Sequence, residues 1–134
     1  APTDKQREVF AAVARGRDAA FDLIAGRYPK SPVRGYEVDR AARQSIESAG
    51  YGKQFFHRTG HSIGITDHGQ GANMDDLETH DERRLQAMTG FSIEPGIYFP
   101  GDFGVRSEIN VALTPERAEI TGGEPQRELL VLLR

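Results

Sequence analysis

The sequence contains no cysteine, which removes disulfides, thiolate metal sites and a cysteine nucleophile together. It has no apolar run approaching the ~20 residues that a bilayer-crossing helix needs, and its first residues do not resemble a secretory leader. An excess of positive charge is also missing. The 17 Lys+Arg stand against 20 Asp+Glu, giving a formal net charge of -3 and a pI near 5.8, so no broad basic surface is on offer to a phosphate backbone. Neither a membrane span nor a nucleic-acid partner is expected, and a cytoplasmic setting fits. What is present, 37% hydrophobic and 28% charged residues over 134 positions, is the composition of one globular domain over 1–134, able to bury roughly two-thirds of its unfolded surface. The chain opens at Ala1 without an initiator methionine and reaches Arg134 directly after the apolar run 129–133. We therefore expect a processed or excised piece of a longer polypeptide.

Two amphipathic helices are predicted first. Thr3 and Gln6 have the spacing of a capping box, in which each side chain satisfies the other's free backbone N–H. Behind them Val9, Phe10, Val13, Ala20, Phe21 and Ile24 recur at helical intervals, with Gly16 a weak point and Gly26 a natural stop. After the turn-like stretch around Pro29 and Pro32, Val38, Ala41, Ala42, Ser45 and Ala49 align for a second helix from about Tyr36 to Ala49.

From Tyr51 onward glycines are frequent and the apolar residues alternate, the signature of strands and turns. Val105, Ser107, Ile109, Val111 and Leu113 fall on one side of a predicted strand, with Arg106, Glu108, Asn110 and Ala112 on the other. The segment 73–82 is rich in acid and without periodicity, so it reads as an exposed, solvated loop. Helices first and strands after predict an α+β fold with both helices on one face of a mostly antiparallel sheet.

Three short stretches mix histidine or carboxylate with glycine and proline: His57 to Gly64 extending to His68, then Ile93-Glu94-Pro95-Gly96, then Gly104-Val105-Arg106-Ser107-Glu108. Gly60 and Gly64 argue for extended backbone, in which His57 and His61, four apart, share a face. Pro95 fixes Glu94 at a strand edge or bend. Arg106 and Glu108 project from one strand face, roughly 7 Å apart along the chain. Histidine and glutamate donors without cysteine suit Mn²⁺, Co²⁺, Zn²⁺ or Fe²⁺, and converging carboxylates call for cations to offset their repulsion. Two such ions about 3.5–4 Å apart would share a water, acidify it and clamp the oxygen formed when it attacks an amide carbonyl. Taken singly, each residue has a plainer reading: His80 in the acidic loop as a structural histidine, Arg106 and Glu108 as a surface charge pair.

Taken in order, Gly60-His61-Ser62-Ile63-Gly64 with His57 before it and His68 after it, then Ile93-Glu94-Pro95-Gly96-Ile97-Tyr98, then Gly104-Val105-Arg106-Ser107-Glu108, resemble the pita-bread metallopeptidases of the Xaa-Pro aminopeptidase and prolidase type. The likeness covers nearly the whole chain, including the two helices. It implies the C-terminal half of a pita-bread fold. It implies His61, Glu94 and Glu108 as metal ligands, with Glu108 bridging two ions, Mn²⁺ the first choice, and Glu94 exchanging protons with the attacking water. It implies His68 as a donor to the scissile carbonyl or the tetrahedral oxygen, and His57 and Arg106 as substrate-binding residues that shape a proline pocket or steady a terminal charge. The implied substrate is a proline-containing peptide.

The same resemblance implies two further aspartate ligands from a hairpin preceding the first helix, and no aspartate in the predicted helices replaces them. An isolated chain would then hold its metals incompletely and be inactive. Its other partners would be the missing N-terminal half of the same protein and, through an open sheet edge, a second copy in a homodimer. Ser62 stands where the family commonly has glycine, and Ile109-Asn110 where an acid commonly follows the bridging glutamate. Two other functions are compatible with such a fold: a non-catalytic module that binds peptides or partner proteins, and a metal-free amidinohydrolase resembling creatinase. Retention of His61, Glu94 and Glu108 argues against both.

Overall fold

The computed structural model describes residues 1–132; Leu133, the end of the apolar run noted above, and Arg134 lie outside the described residues. Helix α1 spans Asp4–Arg27, and its capping box is formed: the Gln6 N–H donates to Thr3 Oγ1 (3.2 Å), and the Thr3 N–H donates to Gln6 Oε1 (2.8 Å). The helix runs one residue past Gly26 and ends where the Tyr28 N–H bonds the Ile24 carbonyl. Helix α2 spans Gly35–Ser48. The predicted weak point, Gly16, is buried where α1 meets α2: a Cβ there would stand 3.0 Å from Ile46 Cγ1. The glycine is a packing surface that lets the helices approach. Among the described residues, no helix is long and apolar enough to cross a membrane.

Among the described residues six strands follow: β1 Ser62–Ile63, β2 Gly90–Ile93, β3 Gly96–Phe99, β4 Phe103–Arg106, β5 Ile109–Leu113 and β6 Ala118–Thr121. All pairings are antiparallel, in a four-stranded sheet of order β1-β2-β5-β6 and a separate β3-β4 hairpin. The strand predicted over 105–113 is therefore interrupted. Its alternation survives, since Ser107, Ile109, Val111 and Leu113 are buried while Arg106, Glu108 and Asn110 are exposed. The interruption lies opposite Pro95, which has no N–H to give to a ladder. The pairs Ile93–Ile109 and Gly96–Arg106 share a single register, so the two ladders are halves of one long hairpin, with Pro95 facing Ser107 and Glu94 facing Glu108 across the gap. One bond crosses it, from the Ser107 N–H to the Pro95 carbonyl (3.4 Å).

The core joins Val9, Val13, Ala20 and Ile24 of α1 and Val38, Ala42 and Ile46 of α2 to Phe91, Ile93, Ile97, Ile109, Val111 and Leu113 of the strands. Arg17 is wholly buried beneath the gap, donating from Nη1 to Ser107 Oγ (2.6 Å) and to the Gln126 carbonyl (3.0 Å). The acidic segment departs from expectation. Met74, Asp75 and Asp81 are buried, because the carboxylates turn inward to accept backbone N–H groups: Asp75 Oδ1 from Leu77 and Glu78, Asp81 from Asn73 and Arg83. The Asp81 carbonyl also accepts the Tyr36 N–H at the start of α2 (3.0 Å), satisfying a donor that a helix leaves open.

Candidate metal centre

The segment 59–63 runs antiparallel beside β2. Ser92 N–H donates to the His61 carbonyl (2.9 Å) and Glu94 N–H to that of Thr59 (2.6 Å), continuing the register of the Ser62–Phe91 pair. Gly60 permits this approach: a Cβ there would lie 1.9 Å from the Ser92 carbonyl oxygen. His61, Glu94 and Glu108 thus sit on three neighbouring chain segments, and because residues opposite one another share a face, all three project to the same side.

Their polar contacts form a connected set. The His61 Nδ1–H donates to the Ser62 carbonyl (3.0 Å), since a carbonyl can only accept. This leaves Nε2 free, and it lies 3.2 Å from Glu94 Oε1. Glu94 Oε1 also accepts from the buried Ser92 hydroxyl (2.9 Å), and Oε2 from Arg106 Nη1 (3.2 Å). Arg106 Nε donates to the Tyr98 hydroxyl (2.7 Å), which lies 2.8 Å from His57 Nε2; His57 Nδ1–H donates to the Arg58 carbonyl (2.7 Å). Burial holds His57 below the ordinary imidazole range, against the pull of that carbonyl and with help from the nearby Arg106 charge. Its neutral Nε2 therefore accepts the tyrosine proton.

One cleft takes in His57, His61, Asp67, His68, Glu94 and Arg106. Five of these were anticipated from sequence. Glu108 is not among the lining residues, yet it feels the same charges: although the residue is exposed, partial removal of its carboxyl from water raises it first and Glu94 second, opposed by His61 and Arg106 and with a further push from Asp67. Among the described residues, the ligand atoms that come together within 4.8 Å belong to His61, Asp67 and His68, a trio different from the predicted His61, Glu94 and Glu108. The rings of His61 and His68 lie 4.3 Å apart. Asp67 escaped the sequence reading, although it adjoins His68. So did Tyr98, whose place two residues beyond Gly96 on β3 puts it on the face of Arg106. His80 lies elsewhere, against Tyr36 and Asp76, in keeping with a structural role.

The model of metallopeptidase family M24 matches residues 1–115. The chain belongs to this family. It is 38% identical over 115 residues to an Xaa-Pro dipeptidase of Lactobacillus delbrueckii subsp. lactis, a match covering 86% of this chain and 29% of that protein. Among solved structures, a prolidase from Thermococcus sibiricus superposes with a TM-score of 0.81 at 32% identity, over 96% of this chain and 32% of that one. An X-Pro aminopeptidase from Thermotoga maritima gives 0.80 at 34% identity, over 95% and 34%. The chain thus spans about three-tenths of the length of these relatives, and its two helices on antiparallel strands are the C-terminal part of their pita-bread fold.

Membership in M24 implies divalent metal, and the residues of this M24 chain fit one. With Nδ1 turned to the Ser62 carbonyl, His61 presents Nε2 on the same face as the Glu94 carboxylate, and Glu94 facing Glu108 across the strand gap opposes two negative charges. A cation on this face relieves that repulsion, and the Ser62 carbonyl orients the ring as a histidine ligand needs.

Proposed function

We propose that this chain supplies the metal-binding face of a peptidase that hydrolyses the bond preceding proline, as an Xaa-Pro dipeptidase or aminopeptidase. The observation that carries the reading is that His61, Glu94 and Glu108 sit on three adjacent chain segments and project to one side of the sheet. His61, Glu94 and Glu108 are the proposed ligands, with Asp67 a further donor close by. Two divalent ions bound there, Mn²⁺ first with Co²⁺, Zn²⁺ or Fe²⁺ as alternatives, would supply Lewis acidity and a water acidified toward neutral pH.

The chain's own residues do the rest. Glu94, held by Ser92 and Arg106, takes a proton from the attacking water and passes it on toward the leaving amine. His68 donates to the carbonyl oxygen as negative charge develops on it. His57 and Arg106, joined through Tyr98, form the wall that receives the proline side or a terminal carboxylate. Assayed alone, the 134 residues are proposed to be inactive. Asp39 is committed to Arg43 and Thr59, and Asp18 to Arg17 and Arg127, so neither completes the carboxylate set. β6 stands at a margin of the four-stranded sheet, and pairing there with a second copy is part of the proposal.

The test is turnover of an Xaa-Pro dipeptide and a longer Xaa-Pro peptide with Mn²⁺, by a full-length protein containing this stretch and by the 134 residues alone. Activity in the first that Glu108→Gln abolishes supports the reading. A full-length protein that binds such peptides without cleaving them overturns it.

A further inference from the structure

Asp39 lies on the inner side of α2 and is wholly buried. A carboxylate in that position is costly unless fully paired, and it is paired from two directions. Arg43, one turn along, grips it with Nε to Oδ2 (2.9 Å) and Nη2 to Oδ1 (3.0 Å). Thr59 donates to the same Oδ1 from its backbone N–H (2.9 Å) and its hydroxyl (2.8 Å). Arg43 has donors left over, and they reach the same stretch of chain: Nη1 to the Phe55 carbonyl (2.9 Å) and Nη2 to the His57 carbonyl (2.9 Å), with the guanidinium centred 4.2 Å over the Phe55 ring.

Every one of these outward bonds ends on residues 55–59, a segment outside the named helices and strands. An apolar pair of similar volume would hold α2 against the core as well as this ion pair does. What the charged pair adds is direction, because a planar guanidinium and a carboxylate fix the carbonyls and the N–H they meet to one position. That position is passed on. The Thr59 carbonyl accepts the Glu94 N–H (2.6 Å), and two residues further on the His61 N–H donates to Ser92 Oγ (3.0 Å), the hydroxyl that also holds Glu94. On the other side, anchoring the His57 carbonyl sets the ring that meets Tyr98.

We propose that Asp39 and Arg43 are positioning residues, a clamp on α2 that holds residues 55–59 so that His57, His61 and Glu94 keep their mutual spacing. Its use in catalysis rests on the hydrolase reading above; the clamp itself rests on geometry alone.

The experiment uses Asp39→Asn and Arg43→Lys in the 134-residue chain, with two readouts: the imidazole nitrogen resonances of the four histidines, and Mn²⁺ affinity by calorimetry. Outer-shell partners of metal ligands are worth about 10–100-fold in affinity. Each variant is expected to displace the His57 and His61 resonances, leave His80 unmoved, and weaken Mn²⁺ binding roughly tenfold or more. A folded variant whose His57 and His61 resonances and Mn²⁺ affinity match the wild type overturns the clamp. If Asp39→Asn does not fold, Thr59→Val, which removes one donor and keeps the shape, decides by the same displacement or its absence. A wild-type chain with no affinity for Mn²⁺ is compatible with its incomplete carboxylate set and leaves the hydrolase reading to the full-length assay, and the ring resonances then judge the clamp by themselves.

Discussion

Glu94 and Glu108 oppose each other where the backbone ladder is broken, and like charges so placed weaken a sheet. The Glu108 carboxyl is raised first by its partial removal from water and then by Glu94, so the second cause is this same conflict. Taking that charge away is expected to raise the melting temperature of the cation-free chain while depressing Mn²⁺ affinity, so Glu108→Gln should move the two in opposite directions; scanning calorimetry with and without Mn²⁺ reads both. This is the trade between stability and function that active sites commonly show. Asp81 is the contrary case. Burial would raise its carboxyl, but hydrogen bonds from the Arg83 side chain and from the Asn73 and Arg83 N–H groups outweigh it and hold it low. A depressed carboxyl stabilises the fold above the usual aspartate range, and that stability is lost as pH falls below about 4 through the folded value. Asp81→Asn is expected to cost about 1–3 kcal/mol at pH 7 and to flatten the loss of stability in acid, as followed by circular dichroism.

At the scale of elements, both helices and the alternation along 105–113 were legible because they depend on spacings of a few residues. Thr3 with Gln6 named its own cap, and the apolar stripe of α1 announced its buried face. The split of the sheet was not legible from strand propensity, which runs unbroken through Ser107; it follows from Pro95 on the partner strand, a relation that only the register reveals. Gly16 misled for a similar reason. Helix propensity counts it as a defect, whereas the neighbour that requires it, Ile46, lies on another helix. Gly60 combines both lessons, since its glycine was read as a sign of extended backbone but its necessity comes from the Ser92 carbonyl. Gly60→Ala is expected to destabilise the chain by about 3 kcal/mol or more, measured by urea unfolding, because a backbone atom cannot swing aside as a side chain can.

Across the whole molecule, the order of three motifs pointed to one region, since each motif carries one of the proposed ligands and the hairpin connecting two of them is short. Composition was a poorer guide. It read 73–82 as solvated, and it had no means of knowing that Asp75 and Asp81 spend their charge on backbone N–H groups, or that Asp39 reaches across to Thr59. Asp67 was overlooked because a carboxylate in an exposed turn looks like any other until His61 and His68 are beside it.

That turn has an implication of its own. Residues 64–68 are exposed, Ile65 entirely so, and the turn is closed at its base by the Gly69 N–H on the Ser62 carbonyl. His61 is buried and fixed to the sheet, while Asp67 and His68 ride on a stretch that water reaches freely. Capture of an ion by His61 and Asp67 together would therefore tether the turn to the sheet, and the amides of residues 65–68 should trade their protons for deuterium more slowly once Mn²⁺ is added, while those of β6 keep their pace. Equal rates in both conditions would mean that the ion is held from the sheet side alone.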